Sequence, residues 1–305
     1  MFMLYIRMTV LILAVAILPA SYSYAQRQSI TIDYQVNDAT MSYTGFWRGS
    51  TFIVDAGFKR NVIVATLDWP PYLGRNQCQG GWLLHYMAAL LLQAGYNPEF
   101  RFLPWARAVR MTELGHADIL APEYEIESSA PSDVIPGSTR LNHLALSSAL
   151  AHAPVHYVAA ADSAITQAPQ ISELPNYSLG VVRGYQNAPQ VDQVIDSGQV
   201  IVQQAIDDAQ NLNLVVNGRV NLIIGDPLVL HTVASANGID RAAYRVLQPS
   251  ITNQPLHFAL SKTRPQWQVL MKDINQTIPV ASAQQLRQQL TERIDEHCSS
   301  GHILR

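Results

Sequence analysis

Between residues 61 and 236 the chain switches repeatedly between two hydrophobic periods, and it runs through the same series twice. Residues 62–66, Val-Ile-Val-Ala-Thr, form a short apolar and β-branched run, as expected of a strand covered on both faces. Trp82, Leu83, Tyr86, Met87, Leu90 and Leu91 then recur at helical spacing, and Gly95 stands where a helix stops. Phe100 and Phe102 alternate within a strand over 99–103. Residues 106–114 predict a second helix closed by Gly115, and 117–121 a third strand. This order, β-α-β-α-β, predicts a parallel sheet with right-handed crossovers.

The second series predicts strands over 178–182, 200–203 and 220–224, with helices over 189–195, 206–216 and 228–236. The segments 144–161 and 244–260 that join the two series are apolar and extended, not rich in Gly and Ser, so they read as connecting strands. Two connections imply one lobe inserted in the other: residues 61–150 with 248–305 as lobe 1, and 151–247 as lobe 2. The tail over 267–294 is expected to be helical and to return to lobe 1. Residues 26–60 form an N-terminal extension. In it ITIDYQV alternates like a strand with which STFIV can pair, but the pattern assigns it to neither lobe.

Composition narrows the class. A chain of 305 residues, 48% hydrophobic, can bury the core of two domains. Its formal charge of −3 gives no basic footprint for nucleic acid. Residues 1–25 hold one positive charge at Arg7, an apolar run from Val10 to Leu18 and the small-x-small triplet Ser23-Tyr24-Ala25. These are the parts of a secretory signal peptide; the run falls short of the ~20 apolar residues that a spanning helix needs. Cleavage after Ala25 removes Arg7 and takes the charge from −3 to −4, leaving a soluble protein in the periplasm. In that oxidising compartment Cys78 and Cys298 have one possible intramolecular pairing, and spacing does not decide between a disulfide and two thiols.

In parallel α/β sheets ligands bind beyond the carboxyl ends of the strands. There the first series places Asp68, Trp69, Pro70, Pro71 and Tyr72, then Trp105, then Glu123 and Tyr124; the second places Arg183, Gly184 and Tyr185, then Asp226. Each has a plainer reading: an aromatic lid on the core, or for Asp226 a helix N-cap. Their coincidence at equivalent places in both halves favours a binding cleft. No Gly-x-Ser-x-Gly, His-Glu-x-x-His or Gly-x-x-x-x-Gly-Lys occurs, so the usual support for serine hydrolase, zincin and P-loop chemistry is missing. His297, Cys298 and His302 are too few for a structural zinc, and His152 with His156 reads as structural. No metal or cofactor is expected.

The stretches LDWPPYLGRN, FRFLPWARAVRMTELGHADIL, STRLNHLALSSAL, YSLGVVRGYQN and VNLIIGDPLVL, in this order, resemble the extracellular solute-binding proteins of family 3, the polar amino acid class. The resemblance runs over residues 61–294. It implies a two-lobed, type 2 periplasmic-binding-protein-like α/β fold, with two doubly wound sheets joined by two hinge strands and closing on a small polar solute. Tyr72 resembles the aromatic that covers the ligand, and Trp105 the tryptophan after the second strand. Arg140 matches the arginine for the ligand α-carboxylate, Gly184 and Tyr185 the second-lobe contacts to it, and Asp226 the acid that takes the α-amine. The family's Phe-Ser-x-Pro-Tyr hinge is here Leu146-Ser147-Ser148-Ala149-Leu150, and the segment 123–139 is longer than usual. The implied protein is a monomer that delivers its solute to an ABC permease or a sensor. The alternative is a catalytic derivative of the same scaffold, a periplasmic dehydratase-like enzyme using Glu123 or Asp226 as general acid and base.

Overall fold

A computed structural model describes residues 29–36, 39–278, 290 and 292. The expected signal peptide, Cys298, His297, His302 and most of the expected helix beyond residue 278 lie outside the described residues.

The first series folds as β4 (Arg60–Thr66), α1 (Trp82–Gln93), β5 (Tyr96–Phe102), α2 (Trp105–Glu113) and β6 (Ile119–Tyr124). β4 pairs in parallel with both β5 and β6. Eleven of the twelve residues of α1 are buried, because the helix packs under the sheet with its apolar positions all round. Gly95 ends it with φ +81°, the left-handed conformation that a C′ residue needs. The second series gives β9 (Ser178–Val182), α4 (Pro189–Asp196), β10 (Ile201–Ala205), α5 (Asp208–Val216), β11 (Leu222–Gly225) and α6 (Pro227–Ala236). β9 pairs in parallel with β10 and β11. The two parallel α/β units predicted by the hydrophobic periods are therefore both present.

The joining segments are less regular than a pair of continuous strands. The first begins with a turn of helix, α3 (Arg140–His143), passes through β7 (Leu144–Leu146), breaks at Ser147, and resumes as β8 (Ala151–Ala160). The break has a local cause: the Ser147 hydroxyl accepts the Phe258 backbone N–H at 3.0 Å, replacing a ladder bond. The second contains β12 (Tyr244–Val246) and β13 (Thr252–Ser261). β8 and β13 are the two crossing strands. They pair with each other over Ala151–Val155 and Thr252–Leu256. The far end of β13 joins β6 in one half, and the far end of β8 joins β11 in the other. The result is a two-lobed mixed α/β fold with a hydrogen-bonded ribbon between the lobes.

Residues 29–54 add an edge to the first sheet through β1 (Ser29–Val36), β2 (Ala39–Arg48) and β3 (Thr51–Val54). ITIDYQV is a strand, but STFIV pairs with β2 and not with ITIDYQV. β3 then docks antiparallel on β5. β2 escapes a hydrophobic reading because its first four residues are exposed and only Gly45 and Trp47 are buried. The C-terminal helix α7 (Trp267–Thr277) returns to the first lobe. There Asp273 pairs with Arg60 at 2.7 Å and accepts the Tyr96 hydroxyl at 2.9 Å. Cys78 is disulfide-bonded, and the chain has one other cysteine, Cys298.

Candidate functional site

The loop after β4 is a compact aromatic wall. Trp69 and Leu73 exchange backbone hydrogen bonds of 2.8 and 3.1 Å, which folds the two prolines into a tight excursion. Trp69 then lies 4.6 Å from Tyr72, centroid to centroid, and meets Tyr124 of β6 edge-on at 6.0 Å. Tyr72 in turn meets Trp82 of α1 at 6.0 Å. These rings are fixed by neighbours, so the wall is largely preformed.

The other lobe meets this wall through specific polar contacts. The Tyr72 hydroxyl donates to Asp226 Oδ2 at 2.8 Å. Asp226 also caps α6, its Oδ1 accepting the Leu228 and Val229 N–H groups at 2.7 and 3.3 Å. The Gly184 carbonyl accepts twice from the first lobe, from Trp105 Nε1 at 3.1 Å and Arg140 Nη1 at 2.8 Å. Gly184 has φ +88°, and a Cβ there would lie 3.1 Å from Ala106 Cα, so both conformation and close approach call for glycine. Arg140 is 3% exposed, and its Nη2 holds Asp133 at 2.8 Å. Tyr185 packs edge-on against Trp105 at 6.0 Å and donates its hydroxyl to Asp208 at 2.9 Å.

Between the lobes these groups leave a small, partly open cavity of about 20 Å³, room for one water, with Trp69, Trp105, Glu123, Tyr124, Tyr185 and Gln186 in its wall. The Glu123 carboxyl is 1% exposed and its Oε2 has no hydrogen-bond partner among the described residues. Burial pushes its pKa up to about 8, against the opposing pull of Arg140, so the carboxyl is neutral at pH 7. Burial likewise raises Asp208 to about 7, although the Tyr185 hydroxyl favours its ionised form. Tyr124 and Tyr185 are pushed well up by the same desolvation and by the acids beside them, and remain protonated donors.

Of the residues expected at the strand ends, Trp69, Trp105, Glu123, Tyr124 and Tyr185 come together around the cavity, while Tyr72 with Asp226 and Arg140 with Gly184 join the lobes by hydrogen bonds. Two stand apart. Asp68 is exposed and accepts the Arg75 N–H at 2.9 Å inside its own loop. Arg183 is exposed and borders a second cavity of about 110 Å³, which shares Tyr185 and Gln186 with the first and also has Asp133, Gly184, Asp192 and Asp196 in its wall. Sequence reading missed Gln186, Asp133 and Asp208. Gln186 directly succeeds Tyr185 and was within reach of the same strand-end argument. Asp208 opens α5 just past the end of β10, a signal shared with any helix-opening acid. Asp133 sits in the long segment after β6 with no periodicity to mark it. Among the described residues no group of three or more His, Cys, Asp or Glu is placed to hold a metal ion.

No protein-family model and no curated protein matches the chain. Solved structures do. A histidine kinase sensor domain with similarity to periplasmic binding proteins aligns over 77% of this chain and 95% of its own, at 15% identity and TM-score 0.60. An ancestral arginine-binding protein bound to arginine aligns over 77% and 98%, at 16% identity and TM-score 0.58. The arginine 3rd transport system periplasmic binding protein of Legionella pneumophila aligns over 77% and 99%, at 16% identity and TM-score 0.57. At such identities the likeness is one of fold, the two-lobed periplasmic-binding-protein architecture.

Proposed function

We propose that this two-lobed chain is a periplasmic solute-binding protein, a monomer that closes over a small polar solute of amino-acid kind and presents it to a membrane permease or a sensor. The observation that carries the reading is the aromatic and carboxyl-lined cavity at the strand ends of both lobes. The bonds from Tyr72 to Asp226, and from Trp105 and Arg140 to Gly184, all run between lobes. Separation of the lobes would break them together, so enclosure of a solute and closure of the hinge become one event. Arg140 is the candidate for a solute carboxylate, which it would take by displacing Asp133, itself 41% exposed at the side chain. The leader-like residues 1–25 support export. No helix among the described residues is long and apolar enough to cross a membrane. The solved relatives include both transport-system binding proteins and a kinase sensor domain, so the fold is compatible with either partner.

One observation favours a second reading. A carboxyl held neutral at pH 7 and facing a cavity, as Glu123 is, has what a general acid needs. That reading makes the chain a dehydratase-like catalyst on the same scaffold. Native mass spectrometry of protein purified from its producing cells, and then incubation with the solute identified, separates the two. Binding with no product is expected; steady conversion without a partner would sink the binding-protein reading.

A further inference from the structure

We infer that the cleft recognises its solute through a cationic nitrogen, seated on the unpartnered oxygen of Glu123 within a frame of four aromatic rings. This rests on the solute-binding reading and adds the ligand's chemical class to it.

Glu123 Oε2 is buried with no hydrogen-bond partner among the described residues, an arrangement that costs stability until a ligand group satisfies it. The cavity it lines, which has room for one water with the lobes joined and would admit a cation as they part, is also walled by Trp69, Trp105, Tyr124 and Tyr185. These rings meet in two edge-to-face pairs, Trp69 with Tyr124 at 82° and Trp105 with Tyr185 at 90°. An acid framed by aromatic rings is a setting for an ammonium or guanidinium, which the ring quadrupoles attract once water is excluded.

The surrounding charges point the same way. The groups acting on Glu123 are Arg140 of α3, Glu113 of α2, Asp192 of α4 and Asp133 of the loop before α3. Three acids face one arginine, and that arginine commits Nη1 to Gly184 and Nη2 to Asp133. Asp226 is used differently, with Oδ1 on two helix N–H groups and Oδ2 on Tyr72. Glu123 is therefore the better seat for a ligand nitrogen.

The neutral Glu123 carboxyl carries a proton that a cation would expel. A cation lowers the carboxyl pKa on arrival, so protonated Glu123 and the free cation give a carboxylate–cation pair plus one proton released to solvent. Binding near pH 7 then releases up to one proton.

Isothermal titration tests this with agmatine and choline as cations lacking a carboxylate, and succinate as the anionic comparison. Wild type and Glu123→Gln are each titrated at pH 7 in phosphate and in Tris, whose ionisation enthalpies differ. The expected result is binding of at least one cation, with a buffer-dependent heat equivalent to proton release. In Glu123→Gln affinity should fall about tenfold or more and the buffer dependence should vanish, while thermal melts show the variant folded. Failure of both cations to bind overturns the inference, as does binding that is unchanged in Glu123→Gln. If succinate, or a solute carried from the producing cells, binds all the same, the solute-binding reading stands alone; if nothing binds, that reading falls too.

Discussion

Glu123 and Asp226 occupy corresponding places in the two lobes, at the end of or just beyond the third parallel strand, β6 in one and β11 in the other. Both are buried, at 1% and 3% exposure, and they are used in opposite ways. Asp226 accepts from two helix N–H groups and from the Tyr72 hydroxyl, so hydrogen bonds offset its desolvation. Glu123 Oε2 accepts nothing among the described residues, and that carboxyl keeps its proton instead. The difference lies in the chain just past each strand. α6 begins at Pro227, directly behind Asp226, and its orphan N–H groups point back at the carboxylate. No α-helix begins after Glu123 until Arg140, so no helix N-terminus caps it. One topological position is thus tied into the fold in the second lobe and keeps an unpartnered oxygen in the first.

The largest expected effect comes from separating the two lobes. Gly184→Ala places a Cβ 3.1 Å from the Ala106 backbone at φ +88°, and should cost about 2–5 kcal/mol in urea unfolding. Small-angle scattering should also show a larger radius of gyration. An unchanged radius would mean that the added methyl is accommodated without parting the lobes. Asp226→Ala attacks the comparison directly. It removes an N-cap and the inter-lobe acceptor of the Tyr72 hydroxyl, and about 2–4 kcal/mol of lost stability is expected, with solute affinity reduced only through weaker closure. A variant that keeps its melting temperature while losing affinity would return the nitrogen-binding role to Asp226.

Much of this architecture was legible because it depends on period. The runs at 62–66 and 178–182, and the helical spacing from Trp82 to Leu91, reflect burial on a sheet or against one, and the structure places strands and a helix there. β2 was not legible, since an edge strand with four exposed leading residues has little apolar pattern to read. The strand-end rule gathered the aromatics and Glu123 but could not separate Glu123 from Asp226. Sequence shows an acid after a strand in both places; only the positions of α6 and Tyr72 reveal which acid is already satisfied. Asp68 and Arg183 illustrate the same limit, because the rule assigns a loop to the cleft rim without saying which way its side chains turn.

Tyr72→Phe sharpens the comparison more gently. It deletes one donor to Asp226 and leaves the ring packing with Trp69 and Trp82, so about 1 kcal/mol of lost stability is expected from the missing hydrogen bond. The same change in an Asp226→Ala background should cost less, since the partner is already gone; strict additivity would show that the two residues do not act as a pair.

The smallest expected effect in mild acid, and the one of opposite sign, belongs to Glu123→Gln. In the folded chain Glu123 keeps its proton up to about pH 8, whereas in the unfolded chain it loses it near the ordinary glutamate value of 4.5. Between those values the folded state binds more protons than the unfolded state, so wild-type stability falls as pH rises across that window. Glutamine has the shape of the neutral acid and does not titrate. Glu123→Gln should therefore melt close to wild type near pH 4.5 and progressively above it toward pH 8, with the pH dependence of the difference removed beyond that. Melts of both proteins from pH 4.5 to 8 measure this. If Glu123→Gln is instead less stable than wild type across the whole range, Glu123 is ionised and paired in the folded chain. Its oxygen would then be occupied like those of Asp226, and the contrast between the two lobes would disappear.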